Sequence, residues 1–178
     1  ILTNMKGTIY KAFPKLREKY RLFYLLMKAK GWNESRDKEP IEKALSWIKK
    51  NKDKDFFLWI HLEDSHEPFF AGGSYIEKVK VNYNFTKEKN ELSKKDIELS
   101  RRLYKNGLKN VDGNISYFIE ELKKSEVFND TYIVISGDHG QEIYDRKSCG
   151  HGPDFYQENI NIPLILIGPK IKRKKEKK

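Results

Sequence analysis

The chain is poor in the features that would settle its class quickly. It has one cysteine, Cys149, in 178 residues, so no internal disulfide can form and the redox compartment stays open. No apolar run approaches the roughly 20 residues that a membrane-spanning helix needs. No basic start followed by an apolar stretch and a small-residue cleavage site is visible. There is no internal repeat, and the only low-complexity segment is the basic end of the chain. Within these 178 residues, these absences leave no room for a disulfide scaffold, a membrane-spanning helix or a repeat array.

What is present begins with charge. The net charge is +10, which resembles the footprint of a nucleic-acid binder, but its distribution argues otherwise. Residues 170–178 hold seven basic residues and one acid and supply +6 of the total. A like-charged terminal run is a solvated tail before it is a groove, so no specific nucleic-acid partner is expected. Hydrophobic residues make up 38%, and the length suits one domain with a core.

Helical and apolar patterns then alternate. Residues 1–39 form an N-terminal segment with Leu22, Leu25 and Leu26 near helical spacing. Pro40 fits the first turn of a helix through Ala44, Leu45 and Ile48, and Phe56 to Leu62 reads as a strand. Residues 63–89 are a long connection of the kind that carries function. Ser93 is the N-cap of a further helix, on which Leu108, Val111, Ile115, Phe118, Ile119 and Leu122 recur at spacings of three and four. Tyr132 to Ile135 reads as a buried strand, and the segment Asn161 to Pro169 brings another. The rhythm is α/β: a mixed or mostly parallel sheet flanked by helices is expected over 40–169, with 170–178 as a basic tail.

The chemistry collects around these strands. Asp138 and His139 sit between Gly137 and Gly140 at the carboxyl end of a strand, where open α/β sheets place their ligands. A carboxylate beside an imidazole can ligate a metal or merely satisfy turn amides. His66 follows Asp64 in a turn closed by Pro68, and His151 lies between Gly150 and Gly152. His61, inside an apolar run, reads as a core or hydrogen-bonded histidine. Cys149 reads as a small apolar residue rather than a nucleophile, and Asp112 as structural. Sequons at Asn33, Asn84, Asn114 and Asn129 hint at a secretory route, although Asn114 and Asn129 fall beside packed elements.

Three blocks in this order resemble the sulfatase / alkaline phosphatase superfamily. They are Phe56 to Phe69 with its Asp64-Ser65-His66-Glu67-Pro68 turn, the helix through Val111-Asp112, and Asp138-His139-Gly140 followed by His151 and Ile162-Pro163. The resemblance covers roughly residues 40–170 and implies part of an alkaline-phosphatase-like fold. It implies that Asp138 and His139 ligate a divalent metal, with Ca²⁺ ahead of Zn²⁺, Mn²⁺ or Mg²⁺. His66 and His151 would act on the substrate catalytically and by contact, and Lys147 would contact it. The substrate would be a small-molecule or carbohydrate sulfate or phosphate ester. The family's nucleophile motif, Cys/Ser-x-Pro-x-Arg, is absent, and Gln141 stands where a Glu often follows Asp-His-Gly. The chain is therefore expected to be part of a sulfatase-like hydrolase, without turnover by itself. Within the superfamily the alternative is a phosphodiesterase or phosphoethanolamine-type transferase. A non-catalytic remnant or binding module is the alternative of another class.

Overall fold

The computed structural model describes residues 35–69, 74, 77, 80–81, 92–152 and 154–172. The helical reading of residues 1–32, most of the long connection and most of the basic tail lie outside them. Helix α1 spans Lys38–Lys50, and helix α2 spans Lys94–Lys123. Both start where the sequence places them. Ser93 Oγ accepts the Asp96 amide at 3.2 Å and so satisfies one of the four free N–H groups at the helix start. A 3₁₀ turn at Glu126–Asp130 leads to strand β1, Ile133–Ser136. Strands β2, Glu142–Ile143, and β3, Cys149–Gly150, form a hairpin. The short helix α3, Gln157–Ile160, precedes strand β4, Leu164–Ile167.

Packing follows the helical stripes. Ile41, Ala44 and Ile48 of α1 bury against Phe118 and Leu122 of α2, and Leu58, Ile60 and Ile133 close the cluster. A second cluster joins Phe69, Val81, Leu103 and Ile143. Between the clusters, the buried Asp64 carboxylate accepts Ser35 Oγ at 2.5 Å, the Arg36 amide at 2.8 Å and the Asn110 amide nitrogen. Buried Asp37 accepts the Glu63 amide at 2.6 Å and the Asp64 amide at 3.2 Å. The 63–69 turn is thus tied to both long helices. Among the described residues no helix is long and apolar enough to cross a membrane.

The sheet differs from expectation. Among the described residues β1 pairs antiparallel with β4, with Val134 opposite Leu166, and the β2–β3 hairpin is also antiparallel. The expected mixed or mostly parallel sheet is not formed by these residues. The run from Phe56 to Leu62 makes no strand pairing among them, although burial alternates along it. Phe56, Leu58, Ile60 and Leu62 pack inward, while Phe57 is 87% and Trp59 74% exposed. Strands read as buried on both faces are in fact half-exposed, with Val134 64% and Leu164 66% exposed. An apolar run signals that both faces suit burial, and here a layer covers one of them.

Candidate functional site

Three loops meet at one edge of the molecule. The first is the 63–69 turn, in which the His66 amide donates to the Glu63 carbonyl at 2.9 Å and the Phe69 amide to the His66 carbonyl at 2.7 Å. Its end is anchored by Phe69, fully buried at φ 62°. The His66 imidazole Nδ1 lies 2.8 Å from the Glu67 carbonyl. A proton on Nδ1 donates there and leaves Nε2 free.

The second loop leaves the carboxyl end of β1. The Gly140 amide donates to the Asn159 carbonyl at 2.7 Å, and a Cβ on Gly140 would collide with the Glu158 carbonyl. Only glycine lets the chain pass α3 this closely. His139 Nδ1 lies 2.7 Å from the Gly140 carbonyl, the contact that fixes the tautomer of a ligating histidine. Its Nε2 then faces Asp138 Oδ1 at 3.8 Å. Burial pushes the Asp138 carboxyl up, but the His139 imidazole, nearby backbone amides and His61 outweigh it and hold it below the ordinary carboxylate value. A carboxylate oxygen and an imidazole nitrogen facing one another are donors that could share a metal ion.

The third loop is the β2–β3 hairpin. Arg146 organises it: the guanidinium pairs with Glu158 at 2.5 Å, approaches Glu142 at 3.6 Å and lies 3.7 Å over the Tyr156 ring. Glu142 is buried and accepts the Arg146 amide at 3.0 Å. His151, just past β3, meets Gln141 Oε1 at 3.3 Å.

The loops bring three imidazoles together. The His139 and His151 rings stack with centroids 3.8 Å apart. His66 lies 5.0 Å from His151 and 6.4 Å from His139. Burial lowers the His151 pKa, Glu67 pulls it back up, and the His139 and His66 imidazoles lower it further. Among the described residues the buried Glu67 Oε2 accepts no hydrogen bond, and it lies 3.7 Å from His66 Nδ1 and 3.8 Å from His151 Nδ1.

A family model for sulfatases matches residues 5–178. The chain belongs to the sulfatase family. Among curated relatives of this sulfatase-family chain, arylsulfatase K of Xenopus laevis is 22% identical over 171 residues, covering 76% of this chain and 32% of the relative. Choline-sulfatase of Rhizobium meliloti is 25% identical over 81 residues, covering 46% of this chain and 16% of the relative. The chain thus spans about a third or less of these relatives. No solved structure matches it. The family generally depends on a divalent metal, and His66, Glu67 and His151 form a group able to hold one.

Of the residues singled out from sequence, Asp138, His139, His66 and His151 converge. Lys147 is exposed in the hairpin turn at φ 62°, and no hydrogen bond among the described residues joins it to the histidines. His61 is a correction: it is exposed rather than buried in the core, because it falls on the outward side of the alternating run, within electrostatic reach of Asp138. Cys149 is half-buried, and burial pushes its thiol up to about 11, far from a thiolate nucleophile at neutral pH. Glu67 was missed. Its signal was an ionisable residue next to His66, in a turn read only for its histidine and proline.

Proposed function

We propose that this sulfatase-family chain supplies the metal-binding and oxyanion-holding edge of a hydrolase for sulfate esters. The convergence of His66, His139 and His151 beside Asp138 carries the reading. Asp138 and His139 would hold the divalent cation, with Ca²⁺ favoured by the family resemblance. When bound, the cation supplies Lewis-acid stabilisation of the charge that develops on the transferred group. His66 and His151 would hold that group's oxygens, and His66 in its doubly protonated form would donate the Nε2 proton to the leaving oxygen. Lys147 would add a further contact from the hairpin turn. The chain has no Cys/Ser-x-Pro-x-Arg sequence, so by itself it binds the ester and does not turn it over.

A second reading is a phosphodiesterase or phosphoethanolamine-type transferase. It is favoured by the fact that His151, rather than Lys147, joins the histidine cluster. One titration addresses both readings. The histidine ring protons of the chain are followed by NMR as 4-nitrophenyl sulfate or 4-nitrophenyl phosphate is added with Ca²⁺. Saturable shifts at His66 and His151 with the sulfate ester, lost in Asp138→Asn, are expected. Shifts with the phosphate ester alone would move the assignment to the second reading, and no shift with either would remove both.

A further inference from the structure

The geometry points to Arg146 as the positioning residue that sets how closely the Asp138–His139 loop and the His151 segment approach. Arg146 lies in the turn between β2 and β3. The register of that hairpin places Glu142 opposite Gly150, directly before His151. The guanidinium reaches across to α3, where Nη1 donates to Glu158 Oε1 at 3.0 Å and Nη2 to Glu158 Oε2 at 2.5 Å. It also lies 3.7 Å over the Tyr156 ring, just ahead of α3. Helix α3 in turn holds the other loop. The Gly140 amide donates to the Asn159 carbonyl at 2.7 Å, and the Glu158 carbonyl takes up the space a Gly140 side chain would need. One side chain therefore links the hairpin that carries His151 to the helix that holds the residue after His139. The two rings that stack at 3.8 Å lie on opposite sides of that link.

Three observations favour a positioning role over an ordinary surface ion pair. Exposed pairs contribute little when they are single and mobile, but this one is bidentate, and a planar fork on a carboxylate fixes angle as well as distance. Glu142 is 2% exposed; its Oε1 accepts the Arg146 amide at 3.0 Å and its Oε2 lies 3.6 Å from the guanidinium. A buried carboxylate that loses its cation is costly, so Glu142 holds Arg146 on the hairpin side while Glu158 holds it on the α3 side. Finally, Tyr144 and Lys147 both have left-handed backbone, at φ 63° and 62°, which a residue with a Cβ disfavours. The turn needs contacts beyond its own backbone to keep its shape. Asp145 supplies one, accepting from Arg101 of α2 at 3.0 Å. Among the described residues, Arg146–Glu158 is the ion pair that joins the hairpin to α3.

The consequence for the ester rests on the sulfate-ester reading above; the positioning itself does not. In that reading, Arg146 holds the cation-binding pair in register with an imidazole that contacts the ester oxygens, and a misplacement of about 1 Å at such a site can cost about 100-fold in rate.

The test measures nuclear Overhauser contacts between the His139 and His151 ring protons in the full 178-residue chain, without metal or ester. Wild type should show the contact. Arg146→Gln should lose it with far-UV circular dichroism unchanged, Glu158→Gln should weaken it, and Arg146→Lys, which keeps the charge without the fork, should recover part of it. Arg101→Gln cuts the hairpin from α2 and should keep the contact. Binding of 4-nitrophenyl sulfate with Ca²⁺ should weaken about 10-fold or more in Arg146→Gln, the scale on which loss of an outer partner is felt. An unchanged ring contact in folded Arg146→Gln would overturn the inference. So would equal loss in Arg101→Gln, which would mean general loosening of the hairpin. If Arg146→Gln unfolds, Glu158→Gln decides on the same criterion. A wild type that shows the ring contact and binds no ester would remove the sulfate-ester reading and leave the positioning role standing.

Discussion

Asp37 shows how a single buried carboxylate fixes both the position of a loop and its response to pH. It is 1% exposed and receives the Glu63 and Asp64 amides, so it holds the start of the turn that presents His66. Burial raises its pKa above the ordinary 3.8; the two amides pull it down, and the charges of Asp64 and Glu63 add to the rise. The folded state therefore binds this proton more tightly than the unfolded chain. That contribution to stability is complete below the unfolded value and disappears as pH climbs through the raised folded value. Asp96 has the opposite sign. Hydrogen bonds from Lys80 and Ser93 lower it against a burial penalty, so its contribution is lost as pH falls. Comparing wild type with Asp37→Asn cancels Asp96 and every other shared group. The difference in unfolding free energy, wild type minus variant, should be more positive near pH 4 than at pH 7 in urea titrations. A difference that stays flat across that range would mean that burial does not govern Asp37.

At the scale of elements, the two glycines of α2 separate what sequence encodes from what packing decides. Both appear as weak points in a helical pattern, yet a Cβ on Gly113 would meet nothing within 4 Å, whereas one on Gly107 would collide with the Asp64 carbonyl. Gly107→Ala should gain up to about 1 kcal/mol of helix propensity and lose about 1–3 kcal/mol to overpacking. Its melting temperature should fall, and the His66 turn should be displaced with it. Gly113→Ala should melt higher than wild type by the propensity gain alone, and the same result for both variants would refute the close approach at Asp64. The helices were legible because caps and three-to-four spacing are local signals: Ser93, Pro40, and the stripe from Leu108 to Leu122. The cluster of Asp138, His139, His66 and His151, the candidate site, could be picked out because glycines and Pro68 mark the turns that carry these residues. The pairing of β1 with β4 was not legible, since Ile133 to Ile135 and Leu164 to Ile167 are equally apolar and name no partner. Nor was the Arg146 clamp, whose partners Glu142, Glu158 and Tyr156 come together only after the hairpin folds. Glu67 belongs to the same class, because its importance lies in what His151 brings from 84 residues away in sequence.

At the scale of the molecule, the same alternation that misled the strand reading makes a testable surface. Phe57 and Trp59 face outward from the 56–62 run, Tyr132 and Val134 from and just before β1, and Leu164 and Leu166 from β4, all at least 50% exposed. Scattered exposed apolar residues are ordinary. Val134 and Leu166 are different, since they stand opposite one another in the β1–β4 pair, and contiguous apolar area drives association and dye binding. The folded chain should therefore enhance 8-anilinonaphthalene-1-sulfonate fluorescence under conditions where far-UV and near-UV circular dichroism are both native. The retained near-UV signal distinguishes this from a molten state. Sedimentation should show self-association that rises with concentration. Trp59→Lys combined with Leu164→Lys should suppress both signals while leaving the melting temperature nearly unchanged, since neither side chain is in the core formed by α1 and α2. If the double variant melts much lower, these side chains are buried in solution and the sheet face is covered. If dye binding survives unaltered, the dye reports another surface, and the 56–62 run is not the exposed apolar face of the molecule.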